Sequence, residues 1–138
     1  MKREILFRGL TVDGKWAYGN LITSSNGEAH ILSANSNPII KENSRIGYWY
    51  LNSPCYKVIP ETVGQYTGLT DKNGTKIFEG DLVLCDSNRT CEVVWFEHNG
   101  QWDLNFVKEL EITPKWTFFS FNDVKKRAEV IGNIYETK

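Results

Sequence analysis

Short apolar segments separated by turn sequences make up most of the chain, and their length and spacing are typical of β-strands. The first two segments, EILFRGL and WAYGNLI, flank Asp13-Gly14, a pair whose tolerance of positive φ suits the tight turn of a β-hairpin. In WAYG, aromatic and small residues alternate with the period of two of a half-buried strand. The sequence therefore predicts an N-terminal β-hairpin.

The composition changes in the next part of the chain. Ser, Asn, Gly and Pro dominate residues 24–45 and are interrupted by two short apolar pairs, so this region is either a long loop or a pair of short strands. GYWYLN follows and is too short for a helix; it is predicted as a strand or as a surface that packs against a neighbouring subunit. Pro54 and Pro60 bracket CYKVI, and we place the end of the first half at residue 59.

The most distinctive stretch is QYTGLTDKNGTKIFEGDLVL, residues 65–84. In DKNG, the Asp71 carboxylate can accept backbone N–H groups of the turn, and Gly74 can take the left-handed conformation that follows a type I turn. EGD makes a second sharp bend before LVLC, whose apolar run predicts a well-buried strand. The stretch is therefore interpreted as a hairpin and a bend that begin the second half of the fold.

The remaining residues continue the pattern of strands and turns. DSNRT is predicted to close a hairpin onto CEVVWF, HNG turns into WDLNF, and WTFFSF and AEVIGNIYE are further strands, with a short helical turn over DVKKRA. A small antiparallel sheet of this kind must curl to bury its core, which favours a barrel or roll. We therefore predict a mainly β fold with a β-rich part over residues 1–59 and a barrel domain over residues 60–138.

Composition and charge place the chain among ordinary globular proteins. Its 138 residues carry a formal net charge of −1, with 13% aromatic residues. No apolar run approaches the ~20 residues that a membrane-spanning helix needs, and MKREILFRGL lacks the apolar core of a signal peptide, so a cytoplasmic location without membrane association is expected. The positive charge of the first half and the negative charge of the second could favour association between subunits.

Three carboxylates near the distinctive stretch are the first candidates for chemistry. Asp71, Glu79 and Asp81 lie within eleven residues, and carboxylates at turns can bind a divalent metal or act as a general acid and base. The spacing matches no calcium loop, and turn chemistry explains these residues without a ligand. We interpret them as part of the scaffold.

The histidines and cysteines give only weak candidates. His30 and His98 each lack a second ligand nearby in the sequence, although Cys55 or Cys91 could meet His98 in space as a nucleophile and base. Cys85 and Cys91 flank a five-residue loop and could face each other across the hairpin, where a reducing cytosol would keep them as thiols. The sequence therefore predicts no catalytic, cofactor-binding or metal-ligating residue.

The aromatic residues raise an alternative from a different class. Small β-barrels can bind single-stranded nucleic acid or Pro-rich peptides by stacking on exposed rings beside basic residues. Two groups of aromatic residues could supply such a platform, and one basic stripe could accompany it: Tyr48, Trp49 and Tyr50; Trp95, Trp102 and Trp116; and Lys125, Lys126, Arg127 and Arg89. The acidic second half and the demand of a β core for large side chains favour packing over ligand binding.

Four segments carry a resemblance to a known family: REILFRG, GKWAYGNLI, PETVGQYTGLTDKNGTKIFEGDLV and EVIGNIYE. With these segments the chain resembles the YopX family of bacteriophage and prophage proteins from end to end, most specifically over residues 60–83. The resemblance implies a cytoplasmic protein of an infected or lysogenic bacterium, a second half like an SH3-like barrel, and a homo-oligomer. It implies no established activity, so no catalytic or binding residue is carried over.

These observations lead to two expectations about function. The first is a non-enzymatic homo-oligomeric accessory or regulatory protein of a phage or prophage, without a cofactor, that contacts host or phage proteins. The alternative is a nucleic-acid-binding module that uses the small β-barrel. An exposed basic stripe between aromatic faces would favour the alternative, and a neutral surface with aromatic residues packed between subunits would favour the first.

Overall fold

The computed structural model describes residues 3–33, 39–43, 48–52, 54–85, 89–97, 100–106 and 127–136. These residues form antiparallel β-strands joined by tight turns, which confirms the predicted mainly β fold. Within them there is no helix long and apolar enough to cross a membrane. The chain divides into two compact units, one formed by Ile5–Val63 and the other by Met1–Glu4 with Gly64–Lys138.

The Ile5–Val63 unit is built on a four-stranded antiparallel arrangement in the order β6-β3-β2-β1. The strands are β1 (Phe7–Leu10), β2 (Trp16–Thr23), β3 (Ala29–Ser33) and β6 (Cys55–Val58). The predicted first hairpin is confirmed, with Gly14 at φ 82° in the turn between β1 and β2. A 3-10 turn, Pro60–Thr62, ends the unit, and the Thr62 hydroxyl accepts a hydrogen bond from the backbone N–H of Leu10.

The low-complexity part of the first half also contains strands. β4 (Ile39–Asn43) pairs antiparallel with β5 (Tyr48–Asn52). Residues 24–45 therefore contain a pair of short strands, β3 and β4, and this was the second of the two alternatives for this region. The prediction of a strand in GYWYLN is confirmed by β5.

The core of this unit lies on one face of the β6-β3-β2-β1 arrangement. Ala17, Ala29, Ile31 and Val58 are its buried members, and Phe7, Leu21 and Val63 pack against them. Because side chains alternate between the two faces of a strand, the intervening residues belong to the opposite face. We call this opposite face the outer face; its members are Arg8, Leu10, Trp16, Tyr18, Asn20, Ile22, His30, Leu32, Cys55 and Lys57.

The second unit contains a hairpin and a four-stranded antiparallel sheet. The hairpin joins β7 (Gly64–Thr70) to β8 (Lys76–Phe78), and the sheet has the order β11-β10-β9-β12. Its strands are β9 (Asp81–Cys85), β10 (Arg89–Phe96), β11 (Gln101–Phe106) and β12 (Glu129–Asn133). The hairpins predicted around DSNRT and HNG and the closing strand are confirmed by these pairings.

The sheet of the second unit buries one apolar face. Ile77, Val83, Cys85, Cys91, Val93 and Ala128 form its buried cluster. In β9, Val83 and Cys85 are buried while Leu82 and Leu84 are partly covered, so the predicted burial of LVLC holds for one face of that strand. Over the described residues the strand order is linear and the sheet does not close on itself, so the barrel predicted for this half is not confirmed.

Two predicted elements lie outside the described residues. These are the strand WTFFSF and most of the helical turn over DVKKRA, of which only Arg127 and Ala128 are described.

Candidate functional site

The turn between β7 and β8 uses its acidic residue to hold the backbone together. Asp71 is 3% exposed, and its Oδ1 accepts hydrogen bonds from the backbone N–H groups of Asn73 (2.8 Å) and Thr75 (2.9 Å). Its Oδ2 accepts a third from the backbone N–H of Val130 in β12 (2.9 Å). Gly74 is left-handed at φ 80°, as the turn requires. The predicted turn chemistry is confirmed, and Asp71 also ties this turn to β12.

The bend before β9 has the same character. Asp81 is 2% exposed, and its Oδ2 accepts a hydrogen bond from the backbone N–H of Phe78 at 2.7 Å. The backbone N–H of Gly80 donates to the carbonyl of Val93, which fixes the bend against β10. Such bonds are those of a structural carboxylate, because they engage lone pairs that a metal ion would need.

Glu79, the third carboxyl of this stretch, is partly buried. Burial raises the pKa of the Glu79 carboxyl above its ordinary value; a hydrogen bond with the backbone of Gln65 lowers that pKa in part, and the negative charge of Glu92 raises it further. The described residues contain no group of three His, Cys, Asp or Glu side chains placed to hold a metal ion. The three carboxylates are therefore not brought together into a common site.

The cysteines occupy two different environments. Cys85 and Cys91 are fully buried in the core of the second unit, and Cys55 is exposed on β6. The prediction that Cys85 and Cys91 face each other was wrong, because the register places Cys85 opposite Arg89 and Cys91 opposite Val83. β10 begins at Arg89, inside the five-residue loop that the sequence suggests, so the two cysteines do not lie opposite each other.

The predicted pairing of Cys55 or Cys91 with His98 lies outside the described residues, because His98 is not among them. On β3, His30 lies opposite Lys57. The residue two positions further along β3, on the same outer face, lies opposite Cys55. No sequence signal pointed to this proximity, because β3 and β6 are joined only by tertiary pairing.

The second unit exposes one of the predicted aromatic residues. Trp95 and Trp102 lie opposite each other on β10 and β11, with ring centroids 4.8 Å apart and planes at 70°. Trp102 packs against the core, and Trp95 remains 45% exposed. The other members of both aromatic groups and the basic stripe, apart from the exposed Arg127, have no described side chain: Tyr48, Trp49, Tyr50, Trp116, Arg89, Lys125 and Lys126.

The first unit exposes large apolar side chains on its strands. On the outer face of β2, Tyr18 is 44% and Ile22 is 40% exposed. On the same face the Arg8 guanidinium lies 4.7 Å from the centroid of the Trp16 ring and is almost completely buried. On β6, Tyr56 is 49% exposed. Sequence reasoning did not single out these positions, because periodicity alone does not tell which face of a strand a sheet buries.

The strand order, the structural carboxylates and the exposed apolar positions define the chain as a small, two-unit, mainly β protein. Residues 6–138 match the YopX protein family, and the chain belongs to that family. Among solved structures it is similar to protein EF1440 from Enterococcus faecalis, with 23% identity and a TM-score of 0.61 over 97% of this chain and 95% of that chain. This likeness concerns the fold alone. No curated protein matches the chain.

Proposed function

We propose that the protein is a non-enzymatic accessory or regulatory factor of a phage or prophage that works through protein contacts in the cytoplasm of its bacterial host. In this proposal it assembles as a homo-oligomer, contacts host or phage proteins, and completes an SH3-like barrel in its second half. Membership of the YopX family supports the phage or prophage setting.

The observation that carries the proposal is the pair of exposed apolar side chains on the outer face of β2. Tyr18 and Ile22 keep 44% and 40% of their surface exposed on a strand whose other face is packed into the core. Apolar surface displayed by a regular strand is stabilised when a partner protein covers it. The polar residues of the most distinctive stretch support the same view, because Asp71 and Asp81 bind the protein's own backbone.

A second candidate function rests on Trp95. Its ring is 45% exposed and is held in place by Trp102, an arrangement on which a nucleic-acid base could stack. Single-stranded nucleic acid would then bind with a strong dependence on salt, because phosphate contacts release counterions. The surroundings weigh against this candidate, since the acidic residue Glu97 lies two positions from Trp95 along the chain.

Light scattering coupled to size exclusion tests both candidates in one experiment. The protein is run alone and with a mixed short single-stranded oligonucleotide, at low and at moderate salt. A defined oligomer whose mass ignores the oligonucleotide agrees with the protein-contact proposal. A salt-sensitive increase in mass that Trp95→Ala abolishes would replace it by the nucleic-acid candidate, and a monomer that ignores the oligonucleotide would contradict both.

A further inference from the structure

The edge strand β6 is the part of the first unit whose exposure calls for an explanation. Among the described residues β6 pairs with β3 on one side only. Cys55, Tyr56 and Lys57 are all exposed, although a strand in a packed sheet normally buries alternate residues. The unpaired side of an edge strand presents backbone N–H and C=O groups to any strand that can align with it.

The register identifies which backbone groups point outward. Ser33 lies opposite Pro54 in the β3–β6 register, and its backbone N–H donates to the carbonyl of Pro54 at 3.1 Å. Antiparallel pairs alternate between hydrogen-bonded and non-hydrogen-bonded, so Tyr56 also directs its backbone groups toward β3. The N–H and C=O groups of Cys55 and Lys57 therefore point away from β3. The next outward N–H along the chain, that of Ile59, donates to the carbonyl of Leu10, so the open part of the edge is limited to Cys55 and Lys57.

Tyr56 shows that this edge also ends an apolar surface. Its side chain is on the same face of the sheet as Val58 and lies opposite the fully buried Ile31. The ring is nevertheless 49% exposed, because no further described strand continues the core face beyond β6. A strand added at this edge would extend the core face and bury the ring.

We propose that β6 pairs antiparallel with β6 of a second copy of this chain. A two-fold axis between the strands would place Cys55 of each copy opposite Lys57 of the other, so that the outward groups of both residues form about four N–H···O=C hydrogen bonds. Tyr56 would then lie opposite its own copy in the central non-hydrogen-bonded pair, where cross-strand side chains come closest. This pairing names the contact behind the self-assembly of the proposed function and rests on that proposal.

Charge favours a second copy over a peptide of one sign. Lys57 bonds to Glu28 at 3.1 Å, and their side chains remain 60% and 43% exposed, so the edge carries both signs together. A second copy presents the same Lys57–Glu28 pair, so each charge at the edge can meet the opposite charge. A purely basic peptide would be repelled by Lys57, and a purely acidic peptide would be repelled by Glu28.

A matched pair of substitutions at Lys57 tests the pairing. Lys57→Pro removes the outward N–H and so two of the expected hydrogen bonds, without touching the β3–β6 ladder, whereas Lys57→Ala removes the same side chain and keeps that N–H. We expect at least a tenfold weaker self-association constant for Lys57→Pro than for Lys57→Ala in light scattering over a dilution series. Circular dichroism verifies that both variants fold.

A distance measurement on the chain without substitutions gives the second test. Cys55 is the exposed cysteine and Cys85 and Cys91 are 0% exposed, so a nitroxide reagent applied to the folded chain labels Cys55. The two-fold register brings the two Cys55 Cα atoms to roughly 9 Å, which strongly broadens the spectrum of the labelled oligomer. If the labelled protein is an oligomer and its spectrum is sharp and unbroadened, the β6 pairing is overturned but self-assembly is not. If the protein is monomeric both with and without the label, the β6 pairing and self-assembly are both overturned.

Discussion

At the scale of single residues, Asp71 joins two parts of the second unit, the β7–β8 turn and β12. Its carboxylate accepts three backbone N–H groups, two within its own turn and one from Val130. We expect Asp71→Ala to lower the free energy of unfolding by about 3 kcal/mol, because three backbone N–H donors lose their acceptor. Asp71→Asn should cost less, since its amide oxygen still accepts the two bonds of the turn.

Denaturant unfolding of the two Asp71 variants measures this difference. Asp13→Ala is the control, because Asp13 occupies the corresponding exposed turn between β1 and β2 and accepts a bond from the Thr11 hydroxyl at 2.5 Å. If Asp71→Ala is no more destabilising than this control, the link between the β7–β8 turn and β12 does not stabilise the fold.

Glu79 gives a prediction about pH. Its pKa is raised in the folded chain, mainly by burial, so the neutral carboxyl is favoured by folding. That contribution to stability is present below the unfolded pKa and is lost as the pH rises through the raised folded value. We expect Glu79→Gln, which is always neutral, to have a higher Tm than the parent at pH 7 and nearly the same Tm at about pH 4.

Thermal melting of Glu79→Gln and of the parent over a series of pH values measures this difference. A Tm difference for Glu79→Gln that fails to grow between pH 4 and pH 7 would show that the carboxyl is not held in a desolvated environment.

At the scale of elements, the β7–β8 turn gives a prediction about backbone conformation. Gly74 has φ 80° and a Cβ built on it meets no atom within 4 Å, so a side chain would be strained by the backbone and not by crowding. We expect Gly74→Val to destabilise the fold by ~1 kcal/mol or more and Gly74→Asn to destabilise it less, because Asn tolerates the left-handed region. Thermal melting of the valine variant within a degree of the parent would contradict the turn assignment.

Those turn residues explain why so much of the fold could be predicted from the sequence. Asp13-Gly14 and Asp71 with Gly74 fix chain reversals locally, and apolar runs between reversals then pair as neighbours. The position of β6 could not be predicted in this way. Its partner β3 lies more than twenty residues earlier, and Pro54 and Pro60 suggested a boundary where the chain forms an edge strand.

The exposed side chains were harder to predict than the strands, for a related reason. The alternation in WAYG is compatible with burial of either face, and the packing of Ala17 against Ala29 and Val58 decides that the aromatic Tyr18 lies outward. The register between Cys85 and Cys91 likewise follows from where β10 begins, which loop length alone does not fix.

At the scale of the whole molecule, the proposed self-assembly would link stability to protein concentration. An oligomer that forms only from folded chains draws the folding equilibrium toward the native state by mass action. We expect the Tm of the parent to rise as the protein is concentrated from about 2 to about 200 µM, and the Tm of Lys57→Pro to change less over the same range.

Lys57→Ala controls for loss of the bond to Glu28, which is exposed and contributes little to the folded chain. Chains that associate equally well before and after unfolding do not shift the folding equilibrium. If the Tm of the parent stays constant while light scattering records a rising mass, association therefore does not require the folded β6 edge.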